Sequence, residues 1–139
     1  MFLKELINKM DYLIAAIGLM LGRFLGGMDG LLYALIAFVI VDYITGVLVA
    51  IYKKKLSSAV GFKGIAKKIV IFLLVAVAHV LDSQVMNMGS AMRTAVIFFY
   101  LSNEGISILE NVTKMGLPVP QKLKDVMEQI QEIRRGEKQ

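Results

Sequence analysis

The sequence contains no cysteine, no tryptophan, one histidine and two prolines. Without thiols there is no disulfide scaffold, no thiolate zinc site and no cysteine nucleophile. A single imidazole cannot build a multi-histidine metal site and leaves little room for a Ser-His-Asp machine. Charge is scarce as well, at 19% of residues. What the chain has in excess is apolar surface: 57% of its 139 residues are hydrophobic. Counting glycine in place of tyrosine raises that share to roughly 62%, against about 45–50% in globular domains. Composition therefore indicates one small domain, most of it built for a membrane.

The missing charges leave blocks behind. Leu31–Tyr52 is a 22-residue run broken only by Asp42. At about 1.5 Å per residue it reaches across a hydrocarbon layer of about 30 Å. The next block, 65–82, opens with Lys67 and Lys68, whose long stems can carry their ammonium groups to the interface. A more polar block, 91–109, is flanked by Arg93 and by Asn103-Glu104. The shortest, 12–28, holds Arg23. The expected fold is an all-α membrane protein with four transmembrane helices near 12–28, 31–52, 65–82 and 91–109, or three if the first stays at the interface. They make a domain of residues 1–113, followed by a cytoplasmic amphipathic helix and tail at 118–139.

Orientation follows from the basic residues. Lys53, Lys54, Lys55, Lys63, Lys67 and Lys68 form a positive connection with no acidic residue, which the positive-inside rule places in the cytoplasm. With four spans both termini are cytoplasmic, and of the 16 basic residues only Arg23 and Arg93 fall outside, leaving 14 within. Lying between two apolar runs, the cluster reads as a topology signal, and no nucleic-acid partner is expected. Lys4, Lys9 and Leu13–Leu21 imitate a signal peptide, but no A-x-A-like site follows, so cleavage is not expected.

The polar groups inside the blocks fall on faces. Gly18, Gly22, Gly26 and Gly30 recur every fourth residue, a stripe suited to close helix packing within or between chains. Gly30 and the pair Gly26-Gly27 can alternatively form a turn into the next helix. Asp42, Thr45, Gly46 and Val49 share one face, and an aspartate there must meet a protein interior, a cation or water. Two readings stay open: a carboxylate satisfied by a neighbouring helix, or one facing a pore. His79 and Asp82, three residues apart, can pair or simply mark the polar end of a span. Asn103, Glu104, Ser107, Glu110 and Asn111 form a polar stripe opposite Phe98, Leu101, Ile108 and Leu109. Beyond Gly116-Leu-Pro-Val-Pro120, Leu123, Val126, Met127, Ile130 and Ile133 recur at helical spacing among charges, the mark of a helix that lies on a bilayer or pairs with a copy of itself.

Three passages together resemble the small toxin-secretion/phage-lysis holins. They are Asp42-Tyr-Ile-Thr-Gly-Val-Leu-Val-Ala50 leading into the lysines and Gly61-Phe-Lys-Gly64; Ala78-His-Val-Leu-Asp82; and Tyr100-Leu-Ser-Asn-Glu-Gly-Ile-Ser-Ile-Leu-Glu-Asn111 with Gly116-Leu-Pro-Val-Pro120. The resemblance spans residues 30–130 and rests on the order and spacing of the passages. It implies a homo-oligomer in the bacterial cytoplasmic membrane that opens timed lesions, with a muralytic endolysin or a toxin as its functional partner. Some holins also use paired start sites, which Met10 would permit here. No catalytic residue, cofactor or metal is expected. Self-association would bury Asp42 and the Asn103/Glu104/Ser107/Asn111 face against neighbours, and rearrangement would turn them toward water. Two other classes compete: a small ion channel or transporter subunit conducting along Asp42, His79 and Glu104, and a membrane scaffold acting through its C-terminal helix.

Overall fold

The computed structural model describes residues 1–87 and 89–136, and among them every regular element is helical. Five α-helices follow in order: α1 Phe2–Phe24, α2 Gly30–Tyr52, α3 Ser58–Val80, α4 Ala91–Lys114 and α5 Gln121–Gly136. A π-helical turn, Leu81–Met86, prolongs α3. Two of these helices are long and apolar enough to cross a membrane, Gly30–Tyr52 and Ser58–Met86. At the expected charged end of the tail, the side chains of Arg134 and Arg135 and the whole of residues 137–139 lie outside what is described.

Local chemistry sets the helix ends. Asp29 opens α2 by accepting the Leu32 N–H at 2.9 Å, and Ser57 opens α3 by accepting the Val60 N–H at 3.2 Å. Only residues 53–57 connect α2 to α3, so Lys63, Lys67 and Lys68 are helical and not part of a linker as the sequence suggests. Lys54 adopts a left-handed φ of 55° in that hairpin, with the Lys55 N–H donating back to the Ala50 carbonyl at 2.8 Å. Gly116, at φ 81°, ends α4.

α4 is the hub of the packing: α2, α3 and α5 all rest on it. Cross-contacts set the directions, since Arg93 of α4 meets Asp29 while Asn111 meets Asp42. α2 and α4 therefore run parallel in direct contact, and α3 runs antiparallel alongside them, mostly against α4. Leu32, Leu35, Val39, Ile71, Val75 and Ile97 form the buried apolar cluster of these three helices. Tyr43 of α2 lies over Gly61 and Gly64 of α3, where an added β-carbon would stand 3.4 Å from its hydroxyl oxygen and 3.3 Å from its ring, respectively. Those two glycines are thus the thin face against which α2 seats.

α1 is different. None of its residues is buried, and among the described residues α3 is the one helix it touches. The expected glycine stripe does not exist as a single surface. α1 ends at Phe24, Gly26 and Gly27 turn with φ of 92° and 100°, and Gly30 begins the next helix. Side chains built on Gly18 or Gly22 would meet nothing within the chain.

Candidate functional site

Polar side chains gather in two layers of the α2–α3–α4 bundle, separated by its apolar cluster. The inner layer centres on Lys68, whose Nζ donates to Asp42 Oδ2 at 2.6 Å and to Glu104 Oε2 at 2.7 Å. The ammonium-bearing side chain is 16% exposed and each carboxylate side chain 10%. Asn111 completes the cluster, its Nδ2 donating to Asp42 Oδ1 at 3.1 Å and to Thr45 Oγ1 at 2.9 Å. The Thr45 hydroxyl donates in turn to the carbonyls of Val41 and Asp42, at 2.8 and 3.0 Å. A cleft of about 350 Å³, bordered by Ser107 and Gly46, runs from this cluster toward Ala50 and Leu56 at the lysine hairpin. Each of the three helices thus brings a charge into an apolar setting, where charges persist only when paired.

The outer layer is built around Arg93, which is 3% exposed. Its Nε donates to the Leu25 carbonyl at 2.6 Å and its Nη2 to the Gly27 carbonyl at 2.9 Å. Nη1 reaches Asp29 Oδ2 at 2.7 Å. The planar fork reads a whole turn of backbone at once, which an ammonium cannot do. Hydrogen bonding from Arg93, and then from the Leu32 N–H, holds the Asp29 carboxyl below the usual carboxylate range. Asp82 accepts the backbone N–H groups of Met92 and Arg93 at 3.0 and 2.9 Å and so caps α4 from the end of α3. Gly26 closes the layer: a β-carbon there would lie 2.6 Å from Arg93 Nε and 2.8 Å from His79 Nδ1.

Several expectations change here. Lys68, grouped by sequence with interfacial lysines, turns inward, while Lys67 stays exposed. His79 and Asp82 do not pair, because both carboxylate oxygens of Asp82 are taken by α4. Gly46 faces the same cluster, where a side chain would meet Asn111 Nδ2 at 3.8 Å, an ordinary contact. The polar stripe of α4 does turn toward Asp42 through Glu104, Ser107 and Asn111, and Asn103 is half-buried beside Lys67. Asp42, Glu104 and Asn111 are thus paired inside one chain. Nor do Asp42, Glu104 and His79 line one path, since Val39, Val75 and Ile97 are packed between the layers. The layers are 11 residues apart along α3 and α4, about 16 Å at the helical rise. Arg93 was missed as a structural centre. An arginine beside an apolar run carried the same warning as Asp42 but passed for a flanking charge.

The α5 helix also sits differently from expectation. It folds back along α4, with Met127 buried at 6% exposure against Gly105 and Phe38.

A model of the bacteriophage holin family matches residues 19–132. The chain belongs to that family. A probable holin of Bacillus phage phi105 is 36% identical over 92 residues, covering 66% of this chain and 67% of its own. An uncharacterized protein of Listeria innocua is 47% identical over 123 residues, 88% of this chain and 86% of that one. A 14.9 kDa protein of Clostridium perfringens is 38% identical over 128 residues, 92% of this chain and 97% of its own. No solved structure matches. The holin-family match and the two apolar helices together make this a membrane protein. Both polar layers fall within the matched region.

Proposed function

We propose that the chain is a holin that self-assembles in the bacterial cytoplasmic membrane and opens timed lesions there, releasing a muralytic endolysin or a toxin. α1 and α4 join α2 and α3 as spans, and the lysine hairpin, the N-terminus and the start of α5 face the cytoplasm. The expected cytoplasmic placing of the whole C-terminal helix gives way to its docking along α4. α4 is the most polar of these helices, yet Arg93 and Glu104 are buried in the bundle, so its exposed surface from Met92 to Phe98 is apolar. The reading assigns the chain no catalysis.

The observation that carries this proposal is the internal pairing of the intramembrane charges. With Lys68, Asp42, Glu104, Arg93 and Asp29 engaged inside one chain, a single copy presents exposed Leu, Ile and Val along α2 and α3. Those faces of the protomer suit lipid, and its packed apolar cluster separates the two polar layers, so one copy can accumulate without leaking, as a protein that acts only above a threshold must. The buried apolar layer argues against conduction through one copy and so against a dedicated channel subunit.

The test is inducible expression with membrane potential followed in time, with and without a co-expressed cytoplasmic muralytic enzyme. A delayed, sudden collapse with enzyme-dependent lysis is the expected result. A graded, ion-selective conductance from the start would instead indicate a channel, and silence would indicate a scaffold.

A further inference from the structure

α5 is shaped to lie on an apolar surface and to face water. Met127 fills the space that Gly105 leaves empty, a space any side chain at that position would take, and Phe38 of α2 closes the same seat. Ile130 and Ile133 border an apolar cleft of about 480 Å³ with Leu74, Val77 and Phe98. On the other side Lys122, Lys124, Asp125, Glu128 and Glu132 are exposed.

The level of this seat is the informative point. Gly105 is the neighbour of Glu104 and so stands at the height of the Lys68 pairings. Phe38 lies eight residues from the start of α2 and fourteen from its end, about 12 and 21 Å along the helix. A helix bearing five exposed charged side chains is therefore docked beside the middle of an apolar span. Facing hydrocarbon, those groups would be among the costliest placements a protein can make. The exposed surfaces of α2 and α3 at the same level, with Val41, Ile44, Ile69 and Leu73, are apolar. One side of the protomer thus calls for water where the others call for lipid.

We infer that the polar face of α5 borders the water-filled lumen of the assembled lesion, with α5 docked on α4 as part of its wall. This rests on the reading of the chain as a hole-forming protein and names the surface that lines the hole. It replaces the Asp42 face, whose groups are already paired inside the protomer, as the wetted surface.

The experiment uses the full chain reconstituted in planar bilayers of phosphatidylethanolamine and phosphatidylglycerol, and the natural absence of cysteine gives a clean background. The first arm measures ion selectivity of the parent and of the Asp125→Lys/Glu128→Lys/Glu132→Lys variant. Charged rings on a lumen set selectivity, so the anion-to-cation permeability ratio should rise at least about threefold. A Glu5→Lys change on α1 should leave it unaltered. The second arm tethers α5 in place with the pair Gly105→Cys/Met127→Cys and, in case a side chain at 105 disturbs the fold, with Phe38→Cys/Met127→Cys. The disulfide should form in the membrane and the oxidised protein should still conduct. Conductance that returns only on reduction would make docked α5 a lock and overturn the inference. So would a tether that forms with neither pair, or a conducting parent whose selectivity ignores the charge reversals. A parent that never conducts would refute the hole-forming reading itself, and this inference with it.

Discussion

Replacing Lys68 by methionine removes the one ammonium shared by Asp42 and Glu104 while keeping the length of the apolar stem. Both carboxylates are about 10% exposed, and their contacts to Nζ are 2.6 and 2.7 Å. Removing one partner of a buried ion pair costs about 3–5 kcal/mol, because the other charge stays behind unpaired. For a chain of this size each kcal/mol lowers the melting temperature by roughly 3 °C, so Lys68→Met should melt about 9–15 °C below the parent in detergent micelles. Asp42→Asn and Glu104→Gln should each cost much less, about 1–2 kcal/mol, since each leaves a simple one-to-one pair. The triple change Asp42→Asn/Lys68→Met/Glu104→Gln should recover most of the loss, because a neutral cluster carries no stranded charge. Lys67→Met, next door but exposed, should stay within about 0.5 kcal/mol of the parent. A Lys68→Met protein as stable as the Lys67→Met one, or a triple variant no better than the single, would refute the shared-cation account.

Other outcomes follow from the outer layer. Arg93→Lys keeps the charge but loses the fork that holds the Leu25 and Gly27 carbonyls, and thermal melts should show a loss of about 2–3 kcal/mol. Gly26→Ala combines a left-handed φ of 92° with a β-carbon 2.6 Å from Arg93 Nε, and should lose about 1–3 kcal/mol in the same assay. Asp29 carries a pH signature: its folded-state carboxyl is held below the ordinary value, mainly by Arg93. Its stabilising contribution is therefore complete above the unfolded value of about 3.9 and fades as pH falls through the lower folded value. Asp29→Asn should destabilise at neutral pH, and its melting curve should converge on the parent's in acid. A gap that widens in acid would reverse the sign and refute the assignment.

Much of the bundle is legible in the sequence because lipid writes in long blocks. Asp42 is conspicuous inside an apolar run, and the spacing of Glu104, Ser107 and Asn111 marks one face of a helix that the structure turns toward it. The cation that completes the cluster hides in plain view. Adjacent helical residues point about 100° apart, so Lys67 and Lys68 diverge, one outward and one inward, while a linear count joins both to the hairpin. Gly26 shows a related limit. A four-residue period describes a surface only while the helix continues, and the chain leaves α1 after Phe24. The seats at Gly61, Gly64 and Gly105 are written as missing side chains, which carry no periodic mark, and their occupants Tyr43 and Met127 lie far away in sequence. For the same reason the docking of α5 was not readable: its stripe announces an apolar partner without saying which.

The isolation of α1 has a consequence for how this sequence can change. A residue in α3 must satisfy neighbours on two helices, so its substitutions are filtered by shape. A residue in α1 has no such jury. With two left-handed glycines joining it to the bundle, a sparse contact with α3 and none of its side chains buried, its surroundings lie mostly outside the chain. Selection there acts on solubility in the surrounding medium, residue by residue and nearly additively. α1 is therefore the segment where insertion energy can be adjusted in small steps while the geometry of the other four helices stays as it was.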